Sequence, residues 1–138
     1  FIQSLVQEQK IFTTIDAYIS GSLDDGLLQI TGKPSQGISL QDAESAIWKE
    51  LERLKTVPVE ETELEKVKNR YESEQIFNNL NYLNVATNLA YFELIGQAEN
   101  INKEVEKYRA VTAGQIQKAA RQTFVPENCS ILYYLAEQ

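Results

Sequence analysis

The stretch LVQEQKIFTTIDAYISG, Leu5 to Gly21, constrains the fold more than any other part of the chain, because its hydrophobic period changes halfway along. Up to Lys10 the apolar residues Phe1, Ile2 and Leu5 fall on one helical face, which reads as the end of a helix. From Phe12 to Ser20 the pattern has a period of two. Ile11, Thr13, Ile15, Ala17 and Ile19 alternate with Phe12, Thr14, Asp16, Tyr18 and Ser20, as in a strand. Helix therefore runs straight into strand.

The next elements follow from their punctuation. SGSLDDG supplies turn residues, Leu27 to Lys33 can return antiparallel with Leu28 and Ile30 on one face, and Pro34 stops it. Ser39 is the expected N-cap of a helix with Asp42 at its third position, and Ala43, Ile47, Leu51 and Leu54 recur at helical spacing before Pro58. VEETELEKVKNRYESEQIF begins a second helix, with Leu64, Val67 and Tyr71 as its stripe. Asparagines at 78, 79, 81 and 84 compete for backbone hydrogen bonds and predict a break, followed by an apolar helix to Gly96. NKEVEKYRAV predicts a short helix, and Thr112 with Gln115 forms a capping box for the last one, which Pro126 closes. CSILYYLAE is β-branched and aromatic at strand length. The order is α-β-β-α-α-α-α-α-β, an α+β class in which helices pack on one face of an antiparallel sheet.

With 138 residues and 43% hydrophobic content, one globular domain is expected. The chain has no Met and opens on Phe1 inside a helix end, so it is expected to be a portion of a longer product. A net charge of −7 repels phosphate backbones, which argues against nucleic acid and anionic membranes as partners. No apolar run approaches the ~18 residues that span a bilayer. Cys129 is the single cysteine, so no internal disulfide is available and the compartment is open.

The chemistry-bearing residues are few. There is no histidine, which removes serine-histidine and cysteine-histidine mechanisms, and Cys/His structural zinc sites. Cys129 lies in the terminal strand pattern and reads as a buried small hydrophobe rather than a thiol nucleophile. Glu60, Glu61, Glu63 and Glu65 surround a helix start beside Lys66 and Lys68, which fits a solvated face matched to the helix dipole; a carboxylate metal or acid/base site is the alternative. Asp24 and Asp25 before Gly26 suit a turn better than a cation loop. Tyr82, Tyr91 and Phe92 suit helix packing, with a peptide groove as the alternative.

Four strings in this order, LVQEQKIFTTIDAYISGSLDDGLLQITGKP, ELERLKTVPVEETELEKVKNRYESEQIF, NLAYFELIG and YRAVTAGQIQKAARQTFVPENCSILYYL, resemble the C-terminal half of zinc peptidases of the insulinase and mitochondrial-processing-peptidase family (M16, pitrilysin-like, bacterial two-domain branch). The resemblance covers essentially the whole chain, residues 1–138, as the C-terminal part of the family's C-terminal domain, without the first strands of that domain. It implies a clam-shell of two similar halves around a peptide chamber. Zinc is expected in the parent enzyme, on an inverted His-x-x-Glu-His motif in the other half; this chain would hold no cofactor, no metal ligand and no catalytic residue. In many relatives an Arg and a Tyr, seven residues apart at the junction of helix and strand, contact the substrate. Val6 and Thr13 occupy those positions here.

The resemblance thus implies a non-catalytic portion of a zinc-dependent peptidase, serving as chamber wall and as interdomain or intersubunit interface. Its partners would be an N-terminal catalytic half or a partner subunit, and the peptide substrate. A bacterial periplasm or cytoplasm is the implied location. The alternative is a structural or interaction subunit of the same fold that has lost proteolysis. Either way the visible strands leave an exposed edge and an uncovered apolar patch, which recruit another surface, a second copy among them. A patch of ~400 Å² is worth up to ~10 kcal/mol when fully buried, before association entropy is subtracted. Sedimentation at several concentrations should therefore show self-association at micromolar levels. A monodisperse folded monomer throughout would show that the residues close their own core.

Overall fold

The computed structural model describes residues 1–21 and 26–135, so the turn expected at Asp24 and Asp25 lies outside the described residues. A π-helical segment, Ile2–Glu8, leads into strands β1 (Phe12–Ser20) and β2 (Leu27–Pro34). Helices α1 (Leu40–Thr56), α2 (Glu61–Asn78) and α3 (Tyr82–Ile95) follow, then a 3-10 stretch, Ala98–Lys103. Helices α4 (Glu104–Arg109) and α5 (Ala113–Thr123) and a 3-10 turn, Pro126–Asn128, complete the order. The expected α+β class is present, and the chain divides into two compact units, residues 1–56 with those from 120 on, and residues 57–119.

In the first unit β1 and β2 pair antiparallel, with Ala17 opposite Ile30 and Ile15 opposite Gly32. The regular alternation read from the sequence is broken at one place. Phe12 faces Pro34 and Thr14 faces Lys33, so Thr13 is an extra residue, a β-bulge. The bulge reverses the side-chain parity, and Phe12 and Ile15, which a regular strand would place on opposite faces, are both buried (3% and 2% exposed). With Leu5, which is fully buried, they form the core against Ala43 and Ala46 of α1. Gly32 belongs to this packing: a Cβ there would lie 2.6 Å from an edge carbon of the Phe12 ring.

Helix α1 starts as expected. Ser39 Oγ accepts from the Asp42 amide at 3.0 Å and donates to the Asp42 carboxylate at 2.7 Å. Ala43 and Leu51 are buried, while Ile47 and Leu54 are only half-buried and Ala46 takes a core place instead. Small side chains at 43 and 46 leave room for the Phe12 ring and Leu5. At the other end of the helix, Arg121 Nε donates to the Lys55 carbonyl at 2.8 Å, one of the acceptors that a helix C-terminus leaves without an internal donor.

Two expectations for the end of the chain are corrected. No strand is present at Ser130 to Leu135, and Cys129 is exposed rather than buried. A strand exists by pairing its backbone, and among the described residues β1 and β2 pair only with each other. Leu132 and Tyr134 stand about nine-tenths exposed, and Tyr133 donates to Glu44, which also accepts from Trp48 Nε1 at 3.2 Å.

The second unit is held differently. The expected break among the asparagines separates α2 from α3, and Asn81 is the cap, its Oδ1 accepting from the Leu83 and Asn84 amides at 2.9 and 3.4 Å. The Thr112 and Gln115 capping box is formed, with Thr112 N–H donating to Gln115 Oε1 at 2.8 Å. Arg109 at the end of α4 reaches Glu72, Glu65 and Asn69 on α2, with 3.0 Å from its Nε to Glu72. Beside it the rings of Tyr71 and Tyr108 stack with centroids 3.7 Å apart. Burial, and then the neighbouring Tyr108 and Glu104, push the Tyr71 hydroxyl up to about 12. Leu64, 5% exposed, is the only buried apolar side chain of this unit among the described residues.

Replacing Gly32 by Ala should lower stability by about 1–3 kcal/mol in urea unfolding, because the added methyl must displace the Phe12 ring. Phe12→Leu on that background should recover part of the loss, since the two residues touch and their effects are coupled. Simple addition of the two losses would show that the ring and Gly32 do not compete for the same space.

Candidate functional site

The junction between the π-helical segment and β1 carries three departures from regular backbone within a dozen residues. The Gln9 amide donates to the Ser4 carbonyl, five residues back, at 2.9 Å. Lys10 has φ 54°, the left-handed conformation usually left to glycine at a helix end. Thr13 is the bulge. π-Turns and bulges both re-aim side chains and are frequent at functional sites.

Their joint effect is to bring the expected pair together. Ile2, Val6, Thr13, Thr14, Ile15 and Asp16 line a shallow open depression of about 210 Å³. Val6 and Thr13, seven positions apart in sequence, thus share one surface. Ile2 and Val6 give it aliphatic surface with the buried Ile15 beneath, and Thr13, Thr14 and Asp16 are its polar residues. With neither guanidinium nor phenol at positions 6 and 13, the depression offers contact and hydrogen bonding, and no cation to polarise a carbonyl.

A side-chain network supports the segment from behind. Ser4 Oγ donates to Glu50 Oε1 on α1 at 2.7 Å and accepts from Gln9 Nε2 at 2.7 Å. Arg53 Nε donates to the other Glu50 oxygen at 3.3 Å, and the Glu50 side chain is only 13% exposed. Sequence reading missed this network. Ser4, Gln9 and Glu50 carry no spacing signal, because the contact spans 46 positions between two elements.

The remaining candidates separate. Glu63 pairs with Lys66 at 3.4 Å, and Glu65 with Lys68 at 3.1 Å and with Arg109, so these carboxylates are engaged along α2 and across to α4. Tyr82 stands 91% exposed at the first residue of α3, whereas Tyr91 and Phe92 meet edge to face with centroids 6.0 Å apart. Cys129 lies far along the chain in the exposed C-terminal stretch.

The donor set does not fit a zinc site. The sequence has no histidine and one cysteine, and among the described residues no three His, Cys, Asp or Glu side chains converge on a common point. Among the described residues no helix is long and apolar enough to cross a membrane.

The family model described as the Peptidase M16 inactive domain matches residues 1–71. The chain belongs to that family. Solved structures agree in fold. The inactive peptidase domain of a Bordetella parapertussis protein assigned as a zinc protease superposes with a TM-score of 0.80 at 18% identity, covering 94% of this chain and 71% of that one. A protein of Bordetella pertussis Tohama I assigned as a zinc protease gives 0.77 at 19% identity, covering 89% of this chain and 68% of the other. A Helicobacter pylori protease gives 0.79 at 16% identity; 87% of this chain is covered but only 29% of that protein. No curated protein matches the chain.

Equilibrium dialysis followed by elemental analysis should find less than one zinc per chain, and peptide hydrolysis by the chain alone should be absent. Stoichiometric zinc with activity lost on chelation would contradict the donor inventory.

Proposed function

We propose that residues 1–138 form the C-terminal part of the second, non-catalytic domain of a zinc-dependent peptidase, acting as chamber wall and as an interface for a zinc-bearing half outside this chain. The observation that carries the reading is the junction itself. Val6 and Thr13 share the surface of the depression, at the positions where many relatives are expected to present an Arg and a Tyr to the substrate. The aliphatic wall and threonine hydroxyls suit contact with a peptide or with a partner domain, and the chemistry is left to the other half. Membership of a family described as inactive supports this division. Zinc, the peptide substrate and the attacking water belong to the partner in this reading.

The test has two arms. The chain alone and its Val6→Arg/Thr13→Tyr variant should both be inactive, because such residues position or polarise a substrate whose attacking water is generated elsewhere. Combined with the zinc-bearing half of its parent, the wild-type chain should be required for peptide turnover while zinc occupancy stays the same with or without it. If a partner subunit supplies the Arg and Tyr, replacing either there should lower turnover at unchanged zinc content. An assembled parent that binds no zinc and cleaves no peptide would instead establish the structural-subunit alternative.

A further inference from the structure

The π-helical segment Ile2–Glu8 is held by a specific competition for one carbonyl. In an α-helix the Gln9 amide would donate to Leu5 O. Here Leu5 O accepts from the Ile11 amide at 2.9 Å, and the Gln9 amide is moved back to Ser4 O at 2.9 Å. The return of Ile11 requires the left-handed turn at Lys10, a conformation that a residue with a Cβ adopts at a cost. Two unfavourable choices, a π-turn and a left-handed lysine, are therefore linked. They need a compensating interaction.

Beside the burial of Leu5, the segment has a polar contact in the side chain of Ser4, which bonds Glu50 on α1 and receives Gln9, the residue whose backbone amide also returns to Ser4. We propose that the Ser4–Glu50 hydrogen bond is a register lock: it selects the five-residue spacing that puts Ile2 and Val6 beside Thr13, and its release lets the segment rewind to α-helical spacing. Leu5 is fully buried in the core, so rewinding turns Ile2 and Val6 about it and reshapes the depression without extracting Leu5. The device concerns this chain's own backbone and is independent of the proposed contact role.

Isotope-labelled chain allows the acceptor of each amide to be read from scalar couplings across the hydrogen bond. In the wild type the Gln9 amide should couple to the Ser4 carbonyl carbon and the Ile11 amide to that of Leu5. In Ser4→Ala and in Glu50→Ala the Gln9 coupling should move to the Leu5 carbonyl, and the Ile11 coupling should disappear. Lys10→Gly on the Ser4→Ala background should shift the Gln9 coupling back to Ser4, because glycine removes the penalty of the left-handed turn that the π register requires. Retention of the wild-type couplings in both alanine variants overturns the lock. So does loss of all these couplings with amide exchange at the unfolded rate, which would make the bond a holder of the segment rather than a selector of its register. Failure of Lys10→Gly to restore the Ser4 coupling overturns the linkage to Lys10 and the inference with it.

Discussion

Phe12 and Ile15 enter one core from a single strand because Thr13 stands between them as an additional residue. Three positions apart, they would point to opposite faces of a regular strand, and one would be left in water. Much of the first unit answers to that placement. Gly32 on the facing strand is bare where the Phe12 ring lies, Ala43 and Ala46 give α1 a small-residue face, and Leu5 closes the group from the preceding segment. Burying a large aromatic and an aliphatic residue on one side of a two-stranded hairpin compensates for its small number of strands, since a hairpin of this size is marginal by itself.

The same bulge shapes the surface. The residue left over from pairing is Thr13, and it lies with Val6 in the depression at the end of the π-helical segment. The irregular backbone is present although the side chains at 6 and 13, a valine and a threonine, carry no charge.

The second unit rests on polar contacts more than on a core. Arg109 reaches three side chains of α2, and the stacked Tyr71 and Tyr108 lie next to it, while Phe77, Leu80, Tyr82 and Leu83 around the α2–α3 connection are each at least 70% exposed. Arg109 is bound through charge-assisted hydrogen bonds to two carboxylates and an amide, a more directional attachment than an exposed ion pair such as Lys66–Glu63. Its orientation comes from geometry that no local pattern announces.

What could be read in the sequence was local. The Ser39–Asp42 and Thr112–Gln115 caps and the helix break at the asparagines depend on residues within a few positions of each other, where side-chain chemistry and backbone preference act directly. The absence of histidine likewise removed imidazole chemistry before any fold was known. Tertiary packing decided the rest. The strand composition of residues 129–135 gave no strand among the described residues, because pairing needs a second backbone. The parity change at Thr13, the π register set by Ser4 and Glu50, and the clamp at Arg109 each require groups far apart in sequence to meet. Burial and hydrogen-bond competition between such groups have no signature until the chain has folded, so local preference could propose the elements while only their packing could set which side chains share a surface.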